Sequence, residues 1–218
     1  MKTDQQLKQD VIDELDWEPA VDASQIGVEV KDGIVTLAGR VDSFTEKWQA
    51  ERATQRVSGV KGLAVAMDVN LPGMSNRTDA DIARSVENTL LWLSYLPANA
   101  VKVMVENGWV TLSGEVEWNY QRLEAANVVR DLMGVRGLTE NIGIKPRAAR
   151  SSIKTEIEAA LRRRVDANLQ DIMVAVNNGD VTLSGRVQSI WDRERAREVA
   201  WSSQGVKHVN DDLRISFI

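Results

Sequence analysis

His208 is the single histidine in a chain of 218 residues, and it is the first place to look for acid–base or metal chemistry. It follows Gly205-Val206-Lys207, and the corresponding positions of two earlier copies of the same segment hold Gly62 and Gly137. A metal site needs several ligands at defined spacing, and nothing near His208 supplies them. The segment reads instead as the exposed start of a strand. Ser113 and Ser184, in the repeated "TLSG", align with Ala38 and lack the G-x-S-x-G elbow of a serine nucleophile. One histidine cannot serve as base for several such sites. Asp32-Gly33, Asn107-Gly108 and Asn178-Gly179-Asp180 lack the acidic spacing of a calcium loop and read as hairpin turns. The chain has no cysteine, which excludes disulfide and thiolate chemistry. These residues predict a protein that is not an enzyme and that uses no cofactor and no metal.

Tryptophan is the surplus, with seven against two Phe and two Tyr. Trp17 and Trp92 fall at equivalent places near the end of a first helix, where a third copy has Arg163. Around the second, Leu90-Leu91-Trp92-Leu93-Ser94-Tyr95-Leu96 is apolar nearly all round, more than a one-sided helix needs. Two readings follow: the helix end caps the core against another copy, or it docks on a membrane interface or partner, where Trp and Tyr favour a half-wet setting. Trp17, Leu91, Trp92, Tyr95 and Leu96 are the candidate contact residues. Burying one Trp, about 150–250 Å², gives at most ~4–6 kcal/mol at ~25 cal/mol/Å². Partial insertion gives less, so a membrane contact is expected to be weak and reversible.

Arg147, Arg150 and Arg162-Arg163-Arg164 form a basic cluster. At a helix C-terminus such residues complement the helix dipole. Anionic headgroup binding would need them on one face, and three consecutive residues fan over about 200°. Arg147, Arg150 and Arg163 stand as candidate anion contacts on that second reading.

The elements that must hold these residues come in triplicate. "VKDGIVTLAGRV" at 30–41 returns as "VENGWVTLSGEV" at 105–116 and "VNNGDVTLSGRV" at 176–187. The last glycines, Gly39, Gly114 and Gly185, are each followed at one fixed interval by a Gly-Val pair that begins at Gly59, Gly134 or Gly205. The spacing from Gly39 to Gly114 and on to Gly185 exceeds common solenoid units, so each copy is a small domain. Leu7, Val11 and Leu15 have helical spacing, as do Ile82, Val86, Leu90 and Ile153, Ile157, Leu161. Thr3 with Gln6 and Thr78 with Asp81 resemble helix caps; Pro19 and Pro97 lie beyond as stop signals. Alternating strands flank each glycine-bearing turn. Val35, Leu37, Val41 and their counterparts point inward, and Gly39, Gly114 and Gly185 share that face, where a helix approaches closely or a bulge forms. A second helix follows, ended by Gly59, Gly134 and Gly205 as C-caps, and then a closing strand.

The expected fold is α+β: three tandem αββαβ two-layer sandwiches, each a three-stranded mixed sheet with two helices on one face. The expected domains are 1–72, 76–146 and 150–218. Among outward sheet positions, Met104, Trp109 and Met173 make the most adhesive surface, expected to cover an inter-domain or self-association contact.

Net charge is −5 over 27 basic and 32 acidic residues. By copy, residues 1–72 carry −5, 73–145 carry −2 and 146–218 carry +2. An acidic chain is a poor nucleic-acid binder, because that affinity comes mostly from phosphate neutralisation. No run approaches the roughly 18 apolar residues of a membrane-spanning helix. With Met1 as the native start the expectation is a cytoplasmic protein; with a leader removed, a periplasmic one.

The αββαβ order, the "VTLSG-x-V" strand and the closing "GVKHVNDDLRI" at 205–215 resemble the BON domain of bacterial osmotic-stress and envelope proteins. Gly205, Val206, Val209, Asn210 and Leu213 carry the resemblance best. The second copy keeps Asn141-Ile142, and the first departs with Ala66-Met67. The resemblance implies a non-catalytic stress protein that associates with phospholipid surfaces or client proteins. Two alternatives stand beside it: a self-associating scaffold, and a small-ion or ligand sensor using backbone carbonyls between domains.

Overall fold

A computed structural model describes residues 2–73, 77–145, 150–164, 172–187 and 190–215. The chain divides into two compact units. One comprises Met1–Thr89, Val103–Thr111 and Val128–Thr139; the other comprises Leu90–Lys102, Leu112–Asn127 and Glu140–Ile218. The division therefore runs through the middle copy.

The first copy is α1 (Asp4–Trp17), β1 (Ile26–Lys31), β2 (Ile34–Val41), α2 (Phe44–Arg56) and β3 (Gly62–Val69). The second is α3 (Asp79–Leu91), β4 (Val101–Glu106), β5 (Trp109–Val116), α4 (Asn119–Arg130) and β6 (Gly137–Ile144). The third is α5 (Arg150–Arg164), β7 (Met173–Asn177), β8 (Asp180–Val187), α6 (Ile190–Trp201) and β9 (His208–Ile215). Each copy is the expected αββαβ, and each sheet places the middle strand of its copy at the centre. In the first and third copies the central strand pairs antiparallel with the strand before it and parallel with the strand after it. The hairpin forces the first pairing; the crossover through α2 or α6 permits the second.

α1 starts where the sequence signals it. Thr3 and Gln6 form a reciprocal capping box, and Pro19 pushes Glu18 into an extended conformation that ends the helix. Its buried stripe is Leu7, Val11 and Leu15. These pack with Val28, Val35, Leu37 and Val41 of the sheet and Ala50 and Ala53 of α2. The third copy repeats the arrangement with Ile153, Ile157, Leu161, Val174, Val181, Leu183, Ala196 and Val199. Thr78 caps α3 differently: it accepts from the Asp81 N–H and its hydroxyl donates to the Asp81 carboxylate at 2.6 Å. These bonds hold the Asp81 carboxyl below its ordinary pKa.

Both central residues of each hairpin turn have positive φ: Asp32 and Gly33, Asn107 and Gly108, Asn178 and Gly179. That is the geometry of a type I′ turn. In two copies the first turn of the preceding helix clamps it. The Asp4 carboxylate accepts from the backbone N–H of Asp32 and Gly33 at 2.8 and 3.1 Å. Asp79 accepts from Asn107 and Gly108, both at 2.8 Å.

Two glycine assignments change. Gly39 and Gly114 have φ of +146° and +132°, and what approaches them is backbone rather than a helix. A Cβ there would meet the carbonyl oxygen of Gln25 or Ala100, well inside the 3.0 Å that real Cβ atoms keep. Gly59 does not cap α2, because Val57 is the extended C-cap. Gly59 lies beyond it at the third position of a turn closed by Val60 N–H to Val57 O, and Gly134 and Gly205 repeat this geometry. A positive φ at that position is what a type II turn requires.

Candidate functional site

The helix-end tryptophans are open to solvent. Trp17 is 81% and Trp92 86% exposed, with Leu91 exposed beside the latter. Tyr95 and Leu96 are only half-buried and belong to a turn that folds back. The Tyr95 ring lies 5.6 Å from that of Tyr120, and its carbonyl accepts from the Gln121 amide at 2.6 Å. Burial, with Glu124 adding to it, pushes the Tyr95 phenol above its ordinary pKa. Of the five candidates, Trp17, Leu91 and Trp92 are exposed, whereas Tyr95 and Leu96 are half-buried.

On the sheets, Met104, Trp109 and Met173 are exposed. Trp109 is nevertheless anchored: its indole N–H donates to Thr139 Oγ1 at 2.8 Å, and its ring lies over Gly137, where a Cβ would collide with it. Of the arginine candidates, Arg163 is exposed in the last turn of α5. Arg147 and the Arg150 side chain lie outside the described residues. His208 begins β9 and is exposed, as its sequence context suggests. Among the described residues no group of three or more His, Cys, Asp or Glu could hold a metal, and no helix is long and apolar enough to cross a membrane.

The most developed side-chain chemistry lies between successive copies, at the second helix of each. In the first unit, Trp48 of α2 is stacked by two guanidinium groups. Arg52 lies 4.7 Å from the ring and Arg130, at the end of α4, 3.8 Å from it. The Thr45 hydroxyl lies within reach of the Arg130 carbonyl (3.2 Å) and the Asp131 carboxylate (2.9 Å). Burial pushes the Arg130 guanidinium below its ordinary pKa, and the nearby Asp131 opposes that shift. In the second unit, Arg122 of α4 lies 5.9 Å over Trp201, at the end of α6. Arg122 is held 3.6 Å from Glu140. The Gly205 N–H donates to the Glu117 carbonyl at 3.1 Å, and the Gln204 amide donates to the Glu117 carboxylate at 2.8 Å.

The two junctions have one polarity. The segment opening the second helix of a copy meets the end of the second helix in the copy that follows. Arg130 and Trp201 stand at the same interval after their motif glycines, Gly114 and Gly185. The partners in the cation–π contact are exchanged between them: the arginine comes from the later copy at the first junction and from the earlier copy at the second. Such contacts contribute roughly 0.5–2 kcal/mol depending on desolvation.

The repeated αββαβ unit is an α+β domain in triplicate. The chain belongs to the BON-domain family, whose model matches residues 3–70, 78–146 and 149–216. It is 28% identical over 173 residues to Osmotically-inducible protein Y of Escherichia coli (strain K12), across 76% of this chain and 86% of that protein. Among solved structures it is similar to CdsD, a structural protein of the type III secretion system of Chlamydia trachomatis. That match has a TM-score of 0.27 and 16% identity over 96% of this chain and 92% of the other. It is also similar to the periplasmic domain of the type III secretion inner-membrane protein PrgH of S. typhimurium. Here the TM-score is 0.24, with 13% identity over 88% and 99%. Likenesses of that size say nothing of what this chain binds.

Proposed function

We propose that this chain is a non-enzymatic, stress-related BON protein that settles weakly and reversibly on phospholipid surfaces. The observation that carries this reading is Trp92, 86% exposed beside an exposed Leu91 at the end of α3. Trp17, 81% exposed, repeats the feature at the end of α1. A large amphipathic ring held in water at the same place in two copies gains by entering a half-wet headgroup layer. The stress role follows the name of its osmotically inducible relative. With a net charge of −5, the attraction comes from ring insertion rather than from headgroup charge, so vesicles of zwitterionic lipid should bind no worse than anionic ones.

Co-sedimentation with phosphatidylcholine vesicles, with and without phosphatidylglycerol, is the direct measurement. Trp92→Ala and Trp17→Ala should each lower bound protein roughly tenfold, the factor for losing part of an inserted indole. Absence of binding to both vesicle types, or variants that pellet like the parent, would overturn the reading.

A further inference from the structure

We propose that the open face of the third copy's sheet binds the terminal phosphate of a small soluble ligand, held between Arg186 of β8 and Arg214 of β9. The two residues are direct neighbours in the parallel β8–β9 register, so their backbones lie about 4.8 Å apart. Val187 and Leu213 beside them are buried in the core formed with α5 and α6, whereas Arg186 and Arg214 are exposed on the opposite face. Among the described residues neither guanidinium has a hydrogen bond or an ion pair. With Ser184, Gly185, Asp212 and Leu213 they line an open depression of about 650 Å³, room enough for a small ligand.

The other copies show that the fold does not require this pairing. Arg40, Glu115 and Arg186 each follow the motif glycine, and Asp68, Gly143 and Arg214 stand at one fixed interval beyond it. In the first copy this rung joins the opposite charges of Arg40 and Asp68. In the second, Glu115 lies against Gly143, where an added Cβ would meet the Glu115 Cγ at 3.7 Å. The third sets two like charges directly across neighbouring strands, which costs stability when nothing lies between them. An oxyanion seated there reverses the sign, because guanidinium forks donate paired hydrogen bonds to phosphate oxygens. A terminal phosphate presents three acceptor oxygens, enough to engage both forks, whereas a diester has only two free. Asp212 stands on the next rung, opposite Ser184, about 6–7 Å along the strand. It repels the anion less than the arginines attract it, since the Coulomb energy falls with distance, and it holds the affinity down.

The test is an NMR titration of the full chain with methyl phosphate at constant ionic strength, without lipid, and with dimethyl phosphate in a parallel series. Amide shifts should saturate and centre on β8 and β9. The expected dissociation constant is on the order of a millimolar, the scale that a few charge-assisted bonds leave after the ligand's lost freedom. Arg186→Gln and Arg214→Gln, both at exposed strand positions, should each weaken binding roughly tenfold, and Asp212→Asn should tighten it. Amide spectra without ligand check that each variant keeps its fold. Shifts that never saturate, shifts centred elsewhere, or arginine variants that bind like the parent would overturn the proposal. So would dimethyl phosphate binding as well as methyl phosphate, which would assign the pair to phosphodiesters such as lipid headgroups. Trp17 and Trp92 lie on other elements, so failure here leaves the phospholipid reading standing, and failure of vesicle binding leaves this one.

Discussion

Gly39→Ala should unfold the first copy ahead of the other two. Gly39 has φ of +146° and faces Ile26 across the β1–β2 ladder. An alanine there carries backbone strain of about 1–3 kcal/mol. Its Cβ would also strike the Gln25 carbonyl oxygen, with the Gln25 carbonyl carbon at 3.1 Å and the Ile26 Cα at 3.3 Å behind it. All three atoms are backbone, so no side chain can swing aside and the start of β1 must move. That movement costs about one ladder hydrogen bond, roughly 1 kcal/mol, and loosens the buried Ile26 by about another. The sum is about 3–5 kcal/mol. A unit of this size has roughly 4–10 kcal/mol in all, so the loss takes a third or more of the first copy's stability.

Gly62→Ala is the matched control. It also lies in the sheet, but its Cβ would meet only Ile34 side-chain carbons at 3.8 Å, with no unusual φ. It should change stability by less than about 0.5 kcal/mol. Urea and thermal unfolding followed by circular dichroism will separate the two variants. Gly39→Ala should introduce an early transition, displaced downward by more than about 12 °C, together with protease cleavage confined to the first copy. If its first transition lies within about 0.5 kcal/mol of the parent, the close approach is not what fixes this glycine.

Two further outcomes follow from the side chains. Trp48→Ala and Arg130→Ala should couple by about 1 kcal/mol in a double-mutant cycle of unfolding free energies; simple additivity would mean that the stacking carries no energy between copies. Glu51 has its carboxyl raised above the usual value by burial, against an opposing pull from Lys47. For an acid raised on folding, the benefit is present below the unfolded pKa and is lost as pH rises through the folded one. Glu51→Gln should therefore raise the melting temperature at neutral pH, with the gain fading as pH falls below the carboxylate range. A gain that persists unchanged in acid would contradict the assignment to burial.

Local patterns carried most of the architecture. The Leu7-Val11-Leu15 spacing, the capping pairs and the glycine turns each depend on neighbours within a few residues, and those neighbours are visible in the sequence. What approaches Gly39 is not, because Gln25 meets it only after β1 and β2 pair. The displacement of Gly59 beyond the helix was hidden for a related reason: helix cap and type II turn both want a positive φ. Asp4 and Asp79 did leave a signal, an acidic residue 28 positions before the first clamped turn amide in two copies. The third copy has Arg150 at that position. Trp17 and Trp92 were legible as helix-end residues, whereas the inward fold of Tyr95 depends on Tyr120 and Gln121.

The junction residues were the hardest to read, because aligning the copies conceals them. At the position of Arg130, the third copy has Trp201 and the first Gln55, so the column shows no common chemistry. The complementarity lies between columns: Trp48 receives Arg130, and Arg122 receives Trp201. Had a second-copy helix end followed a second-copy opening, Arg130 would face Arg122, a like-charge pair. Had the end of α6 followed the first copy, Trp201 would face Trp48 without the later copy's guanidinium. Divergence at a few positions on a shared core thus gives each junction its own partner, and like-charge mismatch is a general means of rejecting wrong ones. The same logic explains why near-identical strands coexist with dissimilar helix ends. The strands must all build one core, while the ends must specify which copy comes next.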